Sequence, residues 1–143
     1  MLSYTCKMAI KAVIYLTSSS GEGKKAGIKE VAGHIDASEH TVGKILQILA
    51  KHGIINSVKG PYGGFFVNEK QQDQPVINIV EIIEGTEVFK KCGLGLSKCS
   101  ADHPCPIHND YQMARDMMED LFRKKKVKDL CEPVKSGLAY LIG

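Results

Sequence analysis

Apolar residues near the start of the chain recur at the three- and four-residue spacing of an amphipathic helix. Over residues 2–17 this repeat predicts one helix with an apolar stripe formed by Cys6, Ala9, Ile10, Val13 and Ile14. Cys6 lies on the stripe and is therefore interpreted as a small buried hydrophobe rather than a ligand. The Ser- and Gly-rich segment 18–27 then predicts a loop.

Two shorter apolar repeats follow and predict a pair of helices joined by a tight turn. The first covers 28–35, and the second begins after Ser38, whose side chain suits an N-cap. Lys51 and His52 in the last turn, with Gly53 just beyond, are typical of a helix C-terminus. Such a pair predicts a helix-turn-helix, although any small helical hairpin has the same pattern.

A β-hairpin is predicted directly after these helices. Residues 54–59 and 65–67 read as strands, and the glycine-rich segment 60–64 lies between them. A hairpin in this position can act as a wing, whose tip reaches the DNA backbone while the preceding helix enters the major groove. Lys59 would supply positive charge to the tip, and glycine would let the backbone approach a phosphate closely.

The second half of the chain predicts three further helices. Asn78, with Glu81 three residues later and Gly85 beyond, indicates a short helix capped by Asn78. A longer helix over 109–124 carries a narrow heptad seam, which favours pairing with a second copy. The seam is formed by Ile107, Tyr111, Ala114, Met118 and Leu121. Met117 and Phe122 broaden this face, so packing on its own domain stays an alternative. The tail predicts a last short helix in which Cys131 is a packing residue.

Charge and composition narrow the class of protein. The 143 residues contain neither a membrane-spanning apolar run nor a signal-peptide pattern, which favours a cytoplasmic protein. Residues 1–70 carry nine Lys against five acids, a net charge of +4, and residues 71–143 carry ten Lys and Arg against eleven acids, a net charge of −1. A basic first half suits contact with DNA, though it also fits ordinary surface solubility. An enzyme is not expected, because the sequence has neither a nucleophile–base arrangement nor a nucleotide motif.

Three of the five cysteines lie on one segment, residues 92–108, which is rich in Gly, Ser and Pro and predicts a loop. An odd cysteine count in a cytoplasmic protein favours metal or redox chemistry over disulfides. The gaps between Cys92, Cys99 and Cys105 are wider than the paired spacing of structural zinc sites. These thiolates, with a His three residues past the last of them, are therefore predicted to bind a soft metal or an iron–sulfur cluster.

The wing sequence Lys59-Gly60-Pro61-Tyr62-Gly63-Gly64-Phe65 resembles the wing signature of the Rrf-two family, the winged-helix regulators that include IscR, NsrR and CymR. In cluster-binding members a cysteine triad and a long helix follow the wing, as they do here. The resemblance extends from the first helix to about residue 130. It implies a dimeric transcription regulator, and many members sense iron–sulfur status, nitric oxide or redox state.

The chain departs from IscR-type members in three respects. Lys59 stands where Arg is common, and the first cysteine gap is slightly longer. The recognition helix, which is the predicted helix after Ser38, presents His40, Gly43 and Lys44 where IscR-type proteins have other polar residues. These last differences leave the DNA target open.

The resemblance also implies a fourth ligand. His108, three residues after Cys105, matches the IscR-type ligand, and this ligand set favours a 2Fe–2S cluster over 4Fe–4S. His103 is a spare imidazole. Nitric-oxide-sensing relatives use a carboxylate in the first helix of the partner subunit, but here Lys7, Met8 and Lys11 occupy that region.

Together these features predict a mainly α chain with a small β-hairpin wing. Its parts would be a winged helix-turn-helix domain over 1–84, a cluster-binding loop over 85–108, and a dimerisation helix and tail over 109–143. The function would be that of a regulator, as a repressor, whose DNA affinity is set by the cluster. Two alternatives remain: the same fold acting as a thiol–disulfide or zinc switch, and an iron–sulfur electron carrier.

Two contact surfaces are also predicted. A homodimer without membrane contact would bind a palindromic site on double-stranded DNA. The predicted DNA contacts are Ser38, His40, Thr41, Lys44, Lys59, Gly60, Pro61, Tyr62, Gly63 and Gly64. The predicted dimer contacts are Tyr111, Ala114, Met118 and Leu121.

Overall fold

A computed structural model describes residues 2–19 and 24–143 of the chain. Within these residues the fold is mainly helical, with one antiparallel hairpin. The helices are α1 (Tyr4–Ser19), α2 (Ile28–Ile35), α3 (Glu39–Lys51), α4 (Glu69–Gln72), α5 (Ile77–Glu84), α6 (His108–Lys124) and α7 (Val127–Lys135), and the strands are β1 (Asn56–Val58) and β2 (Gly64–Phe66). The predicted fold class is therefore confirmed. The predicted loop over 18–27 falls partly on 20–23, outside the described residues.

The first helix forms the centre of the main core. Helices α2, α3, α5 and α7 all pack against it. Its buried face is consequently wider than the predicted stripe and also includes Met8, Ala12 and Leu16. A single stripe can serve one packing partner, whereas a helix with several neighbours must be apolar over most of its surface.

The helix-turn-helix is confirmed in its main features. Asp36 adopts the left-handed conformation, with φ of 55°, and ends α2. The Ser38 side chain caps α3 by accepting a hydrogen bond of 3.1 Å from the Thr41 backbone N–H. One expectation is wrong: Gly43 is not presented on the surface, because it is buried where a Cβ would meet Ile28 at 3.4 Å.

The hairpin is shorter than predicted. Asn56 pairs with Phe66 and Val58 with Gly64, while Ile54 and Ile55 lie in the core instead of in a strand. Ala26 adds two backbone hydrogen bonds to Phe65, of 2.9 and 2.8 Å, on the other edge of β2. Only glycine fits at position 63, since a Cβ there would lie 1.9 Å from the Val58 carbonyl oxygen.

The predicted cap at Asn78 is wrong. Helix α5 begins at Ile77, before that residue, and ends before Gly85 as expected. The capping box occurs earlier: the Asn68 side chain accepts from the Gln71 backbone N–H, and the Gln71 side chain accepts from the Asn68 backbone N–H. An Asn with a polar residue three positions later occurs at both sites, so the pattern alone could not choose between them.

Two backbone hydrogen bonds join the end of α6 to the segment that precedes α5. Val76 N–H donates to the Lys125 carbonyl at 2.8 Å, and Val127 N–H donates to the Gln74 carbonyl at 3.0 Å. We call these two backbone hydrogen bonds the junction clamp. Beyond them, helix α7 packs on α1, and Cys131 is buried in the core as a packing residue. None of the described helices has the length and hydrophobicity required to cross a bilayer.

Candidate functional site

The cysteine segment is a loop, as predicted, over residues 92–107. Cys92 opens it. The backbone N–H of Leu94, then that of Leu96, points at the Cys92 sulfur and lowers the pKa of this thiol below its ordinary value. A smaller lowering of the same pKa comes from a hydrogen bond with the Cys105 side chain, so Cys92 and Cys105 form a close pair. Cys105 is buried, with 7% of its surface exposed.

Cys99 and His108 form a second pair. The Cys99 sulfur lies 3.4 Å from His108 Nδ1. His108 is the first residue of α6 and is also 7% exposed. Pro106 therefore lies two residues before the helix.

Arg115 joins this site, and sequence reasoning missed it. Its Nη1 donates to the Lys91 carbonyl at 2.6 Å and to the Cys99 sulfur at 3.3 Å. The available signal was spacing: Arg115 follows His108 by seven residues, which places both on one face of α6. Tyr111 lies between them, with its ring centroid 5.8 Å from the guanidinium carbon. A Cβ at Gly93 would lie 2.7 Å from this ring, which explains the glycine after Cys92.

The four predicted ligands thus form two pairs, of which the three cysteines lie on the loop and His108 lies at the start of α6. Within residues 2–19 and 24–143, no group of three or more His, Cys, Asp or Glu side chains is arranged to hold a metal ion. All five cysteines are free thiols. The donor set of three thiols and one imidazole, with backbone N–H groups and a guanidinium directed at two sulfurs, fits a thiolate-bound metal or iron–sulfur group.

Two cavities give access to the pairs. One of about 590 Å³ is lined by Cys92 and Cys99 together with Lys90, Lys91 and Lys98. Another of about 450 Å³ is lined by Cys99, His108 and Arg115. Cys99 borders both cavities. The spare imidazole, His103, is exposed on the loop.

The predicted DNA contacts are mostly exposed. His40 and Lys44 lie on the open face of α3, its N-cap Ser38 is exposed, and Thr41 is half-buried. The Ser38 hydroxyl also donates to Thr41 Oγ1 at 2.9 Å, so both side chains are held at the helix start. At the wing, Lys59, Gly60, Pro61 and Tyr62 are exposed, whereas Gly63 and the first residue of β2, Gly64, are half-buried.

The predicted dimer seam is divided between two environments. Met118 packs with Phe122 against a small cluster around Cys6 and Phe89, and Tyr111 is half-buried. Ala114 and Leu121 are exposed. The exposed apolar residues of α6 form a different stripe, which consists of Met113, Ala114, Met117 and Leu121.

Comparison with known proteins identifies the family. Residues 2–133 match the family model described as Rrf2, iron-dependent transcriptional regulator. An HTH-type transcriptional regulator of Aquifex aeolicus is 29% identical over 132 residues, which are 91% of this chain and 90% of that protein.

Two solved structures share the fold. CymR, the global cysteine regulator of B. subtilis, superposes with a TM-score of 0.72 at 20% identity, over 92% of this chain and 96% of that one. IscR of T. potens gives a TM-score of 0.73 at 19% identity, over 97% and 91%. The family consists of transcriptional regulators and not of enzymes. The chain therefore belongs to the Rrf2 family, and it is a winged-helix transcriptional regulator.

Proposed function

We propose that this regulator binds an iron–sulfur cluster through Cys92, Cys99 and Cys105, with His108 as fourth ligand, and that the cluster sets its DNA affinity. The observation that carries the proposal is the contact of 3.4 Å between the Cys99 sulfur and His108 Nδ1 at the junction of the loop and α6. The Cys105 side chain also lowers the pKa of Cys92 on the same loop. Such a cluster would respond to iron–sulfur, redox or nitric oxide status. The regulator would act as a repressor.

The surroundings of the two pairs support an anionic group. Backbone N–H groups favour the thiolate form of Cys92, and Arg115 donates to the sulfur of Cys99. His108 lies at the N-terminus of the 17-residue helix α6, where the helix dipole stabilises negative charge. A set of three thiolates and one imidazole favours 2Fe–2S over 4Fe–4S.

The proposed DNA surface combines the start of α3 with the wing. His40 and Lys44 are exposed and long enough to reach base edges in the major groove. Lys59 and Tyr62 project from the wing, where they would contact the sugar–phosphate backbone. Ser38 and Thr41 are committed to the helix cap, so their role would be limited to phosphates.

A homodimer would form through the exposed stripe of α6. Met113 and Met117 are 67% and 73% exposed, and Leu121 is 50% exposed. Three large apolar side chains at four-residue spacing on one helix face favour contact with a second apolar surface. A two-fold dimer would present two recognition helices to a palindromic operator.

The cluster would act on DNA affinity through the loop. The loop connects α5 of the winged domain with α6, and α6 returns to that domain at the junction clamp. Ordering of the loop would fix the direction of α6 relative to the winged domain, and so the separation of two recognition helices in the dimer.

The test is anaerobic purification with visible spectroscopy, iron and sulfide analysis, and DNA binding before and after cluster removal. We expect a coloured protein whose DNA affinity changes by about tenfold or more when the cluster is lost. Cys99→Ala should abolish the colour, whereas the core variant Cys131→Ala should retain it. A colourless wild-type protein whose DNA affinity does not depend on iron would refute the proposal.

A second candidate is a thiol switch without iron. The observation that favours it is the contact between Cys92, whose thiol pKa is lowered, and Cys105. Oxidation would join these two residues in a disulfide. Mass spectrometry of the colourless protein after peroxide treatment, with a DNA-binding assay, distinguishes this candidate from zinc binding, which metal analysis would detect.

A further inference from the structure

We propose that Arg115 is a positioning residue for the cysteine site, holding Cys99 in place and supplying the positive charge that balances an anionic cluster. The inference rests on the proposed function. It concerns a residue outside the predicted ligand set, contributed by the same helix that begins with His108.

The contacts of Arg115 span the first half of the loop. One nitrogen, Nη1, binds both the carbonyl of Lys91, next to Cys92, and the sulfur of Cys99. The planar guanidinium fixes the direction of these bonds. Arg115 therefore holds Cys99 directly and Cys92 through its neighbour Lys91, and it links both to the second turn of α6.

The charge of Arg115 has no carboxylate partner among the residues that the structure describes. The side chain is 5% exposed. The ion pairs of the described residues involve Lys90, Arg123 and Lys128 but not Arg115. Asp116 and Glu119 line the cavity beside Arg115, but neither carboxylate forms an ion pair with its guanidinium. A buried cation is costly unless it is paired, so the balancing charge must come from the sulfur ligands and whatever they bind.

A second, independent observation concerns Arg115 Nε. This buried N–H has no hydrogen-bond acceptor among the described residues. Buried donors in native proteins are nearly always satisfied, and an exception calls for a partner that belongs at the site. Sulfur atoms of an iron–sulfur cluster accept hydrogen bonds, and such bonds tune the cluster potential.

The charge of Arg115 would raise the reduction potential of a bound cluster. A cluster with three thiolate ligands is negatively charged and gains a further negative charge on one-electron reduction. A nearby guanidinium stabilises the reduced form more than the oxidised form, so it raises the reduction potential. Removal of Arg115 should therefore lower the potential and loosen the hold on Cys99.

The experiment compares Arg115→Met, Arg115→Lys and the control Arg123→Met. Arg123 lies on the same helix and its loss changes the net charge equally, but it is exposed and bound to Glu81 and Glu119. In the reconstituted protein Arg115→Met should shift the redox equilibrium by roughly tenfold toward the oxidised form, about 59 mV for one electron. Arg115→Lys should restore part of the shift, and Arg123→Met should show little of it.

Thermal unfolding of the metal-free protein separates positioning from plain structural support. With an unbalanced buried charge, Arg115→Met should be at least as stable as wild type without metal. A lower melting temperature for metal-free Arg115→Met, or an unchanged potential in its loaded form, would overturn the inference. If the wild type takes up no cluster, the proposed function fails, and the metal-free comparison still decides the role of Arg115.

Discussion

At the scale of single residues, the two imidazoles of the cysteine loop have opposite surroundings. His108 is buried at the start of α6 with Nδ1 beside the Cys99 sulfur, whereas His103 is exposed. A ligand must be both near the other ligands and fixed in orientation. His108 meets both requirements, and His103 offers a matched control five positions away.

Replacement of His108 by alanine should make the proposed cluster labile, because one of its four proposed ligands is lost. His108→Cys should retain a cluster with a lower reduction potential, since imidazole raises the potential relative to thiolate. Visible spectra and redox titration measure both effects, and His103→Ala should behave as wild type. A His108→Ala protein with the wild-type spectrum and potential would falsify the ligand role.

Lys59 is exposed beside the wing tip, where its ammonium group is free to meet a phosphate. Lys59→Ala should weaken binding to all DNA sequences and reduce the slope of log affinity against log salt by about one unit. Lys124→Ala removes the same charge at the end of α6 and serves as control. Equal slopes for wild type and Lys59→Ala would exclude a phosphate contact at Lys59.

At the scale of elements, the short helix α4 supports the base of the wing. The Gln71 side chain accepts hydrogen bonds from Asn56 Nδ2 at 2.9 Å and from the Asn68 backbone N–H at 3.0 Å. Its Nε2 donates to the Gly53 carbonyl at 3.0 Å. One amide thus links α4, the end of the recognition helix and the first strand.

Gln71→Ala should lower the free energy of unfolding by roughly 1 kcal/mol, because the half-buried Asn56 amide and two exposed backbone groups lose their partner. DNA binding should weaken as well, since the wing is no longer held relative to α3. Gln72→Ala removes a neighbouring glutamine whose side chain makes none of the hydrogen bonds found among the described residues. Equal melting temperatures for the two variants would show that the amide network is dispensable.

The ion pair between Lys128 and Asp73 links α7 to the segment after α4, with 2.6 Å between Nζ and Oδ1. The hydrogen bond from Lys128 lowers the pKa of Asp73, so this contribution to stability is present near neutral pH and lost as pH falls through the lowered pKa. The stability difference between wild type and Lys128→Ala should therefore shrink in acid and at high salt. Lys124→Ala should show no such acid dependence. A difference that is constant with pH would mean that Asp73 does not stabilise the fold through Lys128.

The elements that the sequence predicted well are those with a strong local signal. Ser38 and Gly53 mark the ends of α3 because capping depends on neighbouring backbone groups, and the glycine-rich wing is equally local. Arg115 and the split of the α6 seam depend on contacts between distant segments, such as Met118 with the cluster around Phe89. Periodicity places Met118 and Leu121 on a helix but does not say which of them meets its own domain.

At the scale of the whole molecule, the exposed stripe of α6 is distinct from the side of that helix that faces the chain's own domain. Met118 and Phe122 cover the small cluster, while Met113 and Met117 remain open to solvent. The open side contributes little to packing within the chain, so a substitution there should leave the monomer fold intact.

Met117→Glu should therefore produce folded monomers with weak DNA binding, because a charge buried between two copies would be unpaired. Leu138→Glu replaces another highly exposed apolar side chain and should remain dimeric. Light scattering at micromolar concentration measures the mass, and circular dichroism checks the fold. A wild-type monomer under these conditions would end the dimer proposal.

The junction clamp has a consequence for how freely the cysteine loop can vary. Backbone hydrogen bonds hold the chain together before α5 and after α6, so the segment between these points is a closed loop. Its ends are set by Gln74, Val76, Lys125 and Val127. The entropic cost of closing a loop rises only with the logarithm of its length, by about 0.6 kcal/mol for each doubling. Residues can thus be inserted or replaced in the cysteine loop at little cost to the stability of the winged domain. The ligands on the loop can therefore change while the fold of the DNA-binding domain stays the same.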